Sequence, residues 1–289
     1  MLPNLIEYHR PTTMSGALRL LARRKVRTVP LAGGTALVPS RDPSVEALVD
    51  LSALNLAGIQ WRTRRVHIGA MTTLQTLASN ENVQRYANGL LAEAARVCVT
   101  RNLRNVATVG GTLVAGGPAC DLLVALLALD ARVTVHVRRV RTLALADFLT
   151  APYEYLDGGI VTHIAFPFLK IPHGAALARI ARTPNDAAIV NAVALVVPDG
   201  GTCKQVRLAL GGVAPRAVRI ASVELELEGH AWDDVLVARV VEQITASLTP
   251  PSDHRASSEY RREMAAIVAQ RALEQAWRRA QGDERWKSK

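Results

Sequence analysis

Apolar positions Met14, Ala17, Leu18 and Leu21 recur at helical spacing behind the candidate caps Thr12 and Thr13. This predicts a first helix, closed by the basic run Arg23-Arg24-Lys25. Residues 28–31 read as a short strand entering the glycine pair Ala32-Gly33-Gly34-Thr35-Ala36, and 47–51 as another apolar run, so residues 1–55 form a small α/β unit. Two alternating runs, 59–61 and 66–68, flank Thr63-Arg64 as a hairpin requires. Helices over 73–78 and 89–97 follow, then a second glycine pair, Thr108-Val109-Gly110-Gly111-Thr112, read as a loop. Pro118 opens an apolar helix over 121–129. Paired strands at 131–137 and 140–145, and a strand at 159–166 stopped by Pro167, complete a second α+β unit over 56–172. A third unit, 173–289, holds a strand over 187–197, the turn Pro198-Asp199-Gly200-Gly201, an antiparallel return over 206–210, and helices over 233–247 and 257–280.

Composition narrows the function classes. With 289 residues, 49% of them hydrophobic, the chain buries a substantial core and is not a disordered protein. Its longest apolar stretches, 122–129 and 187–198, fall short of the ~20 residues that span a bilayer. The start Met1-Leu2-Pro3-Asn4 lacks the basic region and apolar run of a secretory leader, so a cytoplasmic location is expected. Thirty-five basic residues against 25 acidic ones give a net charge of +10, but the cations are almost all arginine and are dispersed. Only four Trp, five Tyr and three Phe interleave with them, too few for base stacking, so nucleic acid is not the expected partner. Arginine-rich surfaces also suit salt-bridged subunit contacts.

The cysteines, Cys98, Cys120 and Cys203, are odd in number and show no C-x-x-C spacing, so no disulfide framework, zinc site or iron–sulfur site is encoded within this chain alone. Cys98 and Cys120 read as buried small residues. Seven histidines never fall at metal-ligand spacing, and no Ser/His/Asp or Cys/His array is visible, so no catalytic side chain and no metal ligand is expected. The chemistry lies in the two glycine pairs. Each follows an apolar segment, and a backbone without bulky side chains brings its N–H groups close to a pyrophosphate. Neither spells G-x-G-x-x-G or G-x-x-x-x-G-K-[ST], and either pair alone reads first as a tight turn.

From Thr100, the string T-R-N-L-R-N-V-A-T-V-G-G-T-L-V-A-G-G-P-A-C-D-L resembles the second flavin loop of the molybdenum hydroxylases, close to I-R-N-x-A-T-x-G-G-N-x-x-x-x-x-P-x-x-D-L. Ala32-Gly33-Gly34-Thr35, Leu210-Gly211-Gly212-Val213-Ala214-Pro215-Arg216 and Ser257-Ser258-Glu259-Tyr260-Arg261-Arg262 match further family strings in order, so the resemblance spans nearly the whole chain. It implies an α+β protein with a two-subdomain PCMH-type FAD-binding fold followed by a C-terminal domain with an antiparallel sheet and helices. It also implies that the FAD pyrophosphate is wrapped by Ala32, Gly33, Gly34, Thr35 and Ala36 on one side and by Thr108, Gly110, Gly111 and Thr112 on the other. Asp121 of the Pro-x-x-Asp-Leu string then accepts hydrogen bonds from ribityl or ribose hydroxyls, and Arg179 stands where the family commonly carries a lysine beside the flavin. Val161 aligns with an apolar residue packed near the adenine or flavin. Arg104 matches the arginine of I-R-N and is as readily an ordinary surface charge.

The resemblance further implies partners: a large subunit holding the molybdenum cofactor and a small subunit holding two [2Fe–2S] clusters, assembled as a dimer of heterotrimers. Electrons would cross those clusters to the FAD of this chain and leave to an external acceptor. Departures from the family pattern are Thr112 for the usual Asn, Gly116-Gly117 before Pro118, Cys120 for a common Ser, and an unmatched 142–160 segment. They keep open a flavin-free structural subunit of the same kind of complex.

Overall fold

Among the described residues, 2–184 and 186–282 of a computed structural model, twelve strands pair into three sheets. Two compact units carry them. The first takes the chain up to residue 76 together with 101–116 and 131–168, and the second takes 77–100, 117–130 and the chain from 169 onward.

In the first unit, β1 (Glu7–His9), β2 (Thr28–Leu31) and β3 (Ala47–Asp50) form a parallel sheet in the order β1-β3-β2. Helix Met14–Leu21 connects β1 to β2, and Thr13 caps it as expected, its hydroxyl accepting from the Gly16 N–H. One sheet face packs Val49 and Leu51 against Ala17 and Leu21 of that helix; another cluster gathers Leu48 with Leu2 and Val45. The same unit holds an antiparallel sheet of β4 (Ile59–Trp61), β5 (Arg65–Gly69), β6 (Arg132–His136), β7 (Val140–Ala144) and β8 (Ile160–Pro167), in the order β4-β5-β8-β6-β7. Alternation of apolar and polar residues in 59–61 and 65–69 places their strands as the pattern predicts.

The second unit is built on β9 (Gly174–Ile180), β10 (Val190–Asp199), β11 (Thr202–Gly211) and β12 (Val218–Arg219), antiparallel in the order β12-β11-β10-β9. The Gly200-Gly201 turn joins β10 to β11 as expected, whereas β9 has no counterpart in the sequence reading. Helix Ser258–Ala280 packs on β9 and β10 through Ala265, Val268, Ala269, Ala272, Leu273 and Ala276. Helix Asp121–Ala128 is buried at every residue, which explains why its sequence shows no polar face, and it packs on β10, β11 and helix Leu90–Cys98. No helix among the described residues is long and apolar enough to cross a membrane.

Candidate functional site

β2 ends at Leu31, and the chain turns through 32–36 into helix Leu37–Ser40. Leu31 and Leu37 both pack against Leu2, Val45 and Leu48, so the turn is anchored at both ends by apolar contact. Among the described residues, the backbone N–H groups of Ala32, Gly33, Gly34, Thr35 and Ala36 donate to no protein acceptor. Residues 32–36 are at least part-exposed, so these amides open to solvent or to a ligand, and successive free N–H groups around a left-handed residue make an anion-binding concavity. Gly34, at φ +70°, is that residue. Gly33 is glycine for a different reason: a Cβ there would overlap the carbonyl oxygen of Val106. The two glycine segments therefore lie together within the first unit, and a Cβ built on Gly111 would stand 3.8 Å from the Ala32 Cβ.

The second segment is not the expected loop. Thr108 caps helix Val109–Ala115, accepting the Gly111 N–H on its hydroxyl at 3.1 Å, and this cap outweighs the poor helix propensity of two glycines. The Gly110 N–H donates to the Ala70 carbonyl at 2.8 Å and the Thr112 N–H to the Thr108 carbonyl at 2.9 Å. The Thr112 hydroxyl also donates to the Thr108 carbonyl, at 2.9 Å. The amides of 110–112 are thus engaged inside the protein, while those of 32–36 are available. Val161 is buried in β8 opposite Val135. Its neighbour Thr162 accepts the Ala70 N–H at 2.9 Å, so Ala70 ties β8 to the second glycine segment. Arg104 donates from Nε to Gln75 at 3.2 Å.

In the second unit, Asp121 opens its helix with 1% exposure. Its Oδ1 accepts the Asn191 amide at 2.6 Å and the Arg179 Nε–H at 3.4 Å. Burial pushes the Asp121 carboxyl pKa up, against the opposing pull of the Arg179 charge and the Asn191 hydrogen bond. Arg179 also donates to the carbonyls of Pro184 at 3.1 Å and Asp186 at 2.6 Å, which fixes its guanidinium. The structure thus brings the predicted Asp121 and Arg179 together, and adds Asn191, which sequence reasoning missed. Asn191 stands opposite Arg179 in the β9–β10 register and is fully buried. It donates a second time to the Ala119 carbonyl at 3.1 Å, and its own Oδ1 has no partner among the described residues. The available signal was one amide side chain in the otherwise apolar run 190–197.

Comparison with known proteins decides the family. The domain family described as the FAD binding domain in molybdopterin dehydrogenase matches residues 4–169, and the CO dehydrogenase flavoprotein C-terminal domain matches 175–276. The chain belongs to the FAD-binding medium subunits of the molybdenum hydroxylases. It is similar to the glyceraldehyde dehydrogenase medium chain of Sulfolobus acidocaldarius, at 30% identity over 282 residues, covering 95% of this chain and 99% of that one. To the carbon monoxide dehydrogenase medium chain of Hydrogenophaga pseudoflava it is 31% identical over 286 residues, covering 96% and 99%. The solved carbon monoxide dehydrogenase from the same organism, in a form lacking the Mo-pyranopterin moiety, superposes with a TM-score of 0.90 at 31% identity, covering 96% of this chain and 99% of that one.

For a medium subunit of this family, the donor set of the first unit fits FAD. Five free amides and the Thr35 hydroxyl, which has no partner among the described residues, suit a pyrophosphate held by many weak donors. The expected α+β architecture, with a C-terminal domain of antiparallel sheet and helices, is the one this family and its solved structures have. These medium subunits are parts of oxidoreductases.

Proposed function

We propose that this medium subunit binds FAD with the amides of Ala32, Gly33, Gly34, Thr35 and Ala36 against the pyrophosphate. Gly110, Gly111 and the Thr108 and Thr112 hydroxyls border the phosphates, and Val161 packs near an aromatic ring of the cofactor. Asp121 accepts from ribityl or ribose hydroxyls, and Arg179 supplies a cation toward the flavin. In this reading 1–55 and 56–172 are the flavin-binding subdomains and 173–289 the C-terminal domain. The bound flavin supplies the electron-carrying chemistry, and the side chains named here bind, orient and tune it. Electrons arrive from two [2Fe–2S] clusters on a small subunit, which receive them from a molybdenum cofactor on a large subunit, and leave to an external acceptor. The complex is a cytoplasmic dimer of heterotrimers.

The observation that carries this reading is the unpaired run of N–H groups at 32–36. Heat-released flavin equimolar with purified chain is the expected result, and a colourless, folded preparation overturns it. A flavin-free bracing subunit draws on the opposite observation, that the amides of Gly110, Gly111 and Thr112 are already bonded within the protein. The same measurement separates the two.

A further inference from the structure

Cys98 ends helix Leu90–Cys98, Cys120 immediately precedes helix Asp121–Ala128, and both belong to the second unit. Their sulfur atoms are 3.5 Å apart, and both residues are half-buried rather than sealed in the core as their sequence context implied. Cys120 is the cap residue of the second helix, so the pair stands at its amino end, where the Leu123 N–H donates to the Cys120 carbonyl at 3.0 Å. Helix N-termini favour a thiolate over a thiol. The two cysteines are made unequal by their own contact. The hydrogen bond from Cys120 lowers the Cys98 thiol pKa, whereas the same bond and burial raise that of Cys120. Arg179 reinforces the anion on Cys98, and Asp121 opposes it. Cys203 has no such surroundings: it is buried, and desolvation pushes its thiol up to about 11.

We infer that Cys98 and Cys120 form a peroxide-oxidisable dithiol, a covalent modification site in which Cys98 attacks and Cys120 resolves. The oxidant is hydrogen peroxide. The Cys98 thiolate attacks one peroxide oxygen, an S–O bond forms, the O–O bond breaks and hydroxide leaves, oxidising the sulfur to a sulfenic acid. The Cys120 sulfur then attacks the Cys98 sulfur, an S–S bond forms, the S–O bond breaks, and the oxygen leaves as water with the Cys120 proton. Overall two thiols lose two electrons and two protons, and one peroxide becomes two waters. The helix ends already hold the sulfurs 3.5 Å apart, and closure to a disulfide at about 2.05 Å brings them roughly 1.5 Å closer.

The test treats the full chain with hydrogen peroxide in the presence of dimedone, a sulfenic acid trap, and reads intact mass and non-reducing peptide maps. The expected product has lost two hydrogens, links the Cys98 and Cys120 peptides, and returns to the starting mass with dithiothreitol. Cys120→Ser should lose the link and collect dimedone at Cys98, and Cys98→Ser should slow oxidation at Cys120 by about tenfold or more. The inference is overturned by Cys98 passing to sulfinic acid in the unmutated chain without a link, or by Cys203 reacting as fast as Cys98. These readouts are masses, so they stand whether or not the chain carries flavin.

Discussion

A Cβ on Gly33 would overlap the Val106 carbonyl oxygen, whereas one on Gly111 would meet Thr108 Oγ1 at 3.0 Å and the Ala32 Cβ at 3.8 Å. Gly33→Ala must therefore displace backbone and should cost about 2–3 kcal/mol of stability, while Gly111→Ala should cost about 1 kcal/mol or less. Denaturant midpoints compare them, and equal losses would contradict the close approach. Gly34→Ala meets only side-chain ends, Leu31 Cδ1 at 3.3 Å and Val38 Cγ2 at 3.4 Å, but its positive φ strains any L residue by about 1–2 kcal/mol. It should lower flavin content far more than it lowers the unfolding midpoint, and a variant with full flavin would count against a cradle at 32–36. Asp121 offers a pH signature. Its carboxyl binds a proton more tightly folded than unfolded, so stability should fall as pH rises from 3.8 toward the raised folded value and then level off. Asp121→Asn should remove that decline, measured as denaturant midpoint against pH. The glycines and Asp121 were legible because their residue types carry their chemistry in local strings. Asn191 and the Cys98–Cys120 contact were not, because strand register and helix packing make them.

Strong periodicity made most elements legible: helix Met14–Leu21, the β10–β11 hairpin and helix Ser258–Ala280 stand close to where their patterns put them. Helix Val109–Ala115 was hidden because two glycines dominate a short segment and the cap at Thr108 shows its effect only once the Gly111 amide reaches its hydroxyl. The long C-terminal helix holds a feature that spacing does not distinguish, since Arg261 and its neighbour Arg262 read alike. Arg261 is 1% exposed and donates to the Ile189 carbonyl at 2.6 Å, the Gly212 carbonyl at 3.4 Å and Asp253 at 2.7 Å. It fastens the helix to the β10 and β11 ends, and Arg261→Leu should cost about 3–5 kcal/mol by orphaning these acceptors. A loss below 1 kcal/mol in chemical denaturation would show that apolar packing alone seats the helix. The hydrogen bonds to Asp253, led by the Arg255 N–H, hold its carboxyl well below the ordinary range. A depressed carboxylate stabilises the fold above its unfolded pKa of 3.8 and loses that contribution as pH falls below it. The stability gap between the unmutated chain and Asp253→Asn should therefore be full at neutral pH and narrow in acid.

At the scale of the molecule, the family was legible from four strings in order, and both domain matches agree with it. The +10 charge, carried mainly by arginine, fits a protein whose surfaces meet other subunits. Co-expression with a molybdenum-cofactor subunit and an iron–sulfur subunit from the same source should yield a complex that co-purifies with this chain, and persistent isolation of the chain alone would oppose the assembly. The interleaving of the two units has its own consequence for how the protein is made. Helix Asp121–Ala128 is buried at every position, yet the strands it rests on, β10 and β11, are more than 60 residues further along. During synthesis that helix leaves the ribosome with only helix Leu90–Cys98 to cover it, so the second unit closes only after its C-terminal strands emerge. A chain cut after residue 169 keeps the helix and loses the strands that seat one side of it, and no single cut releases either unit whole.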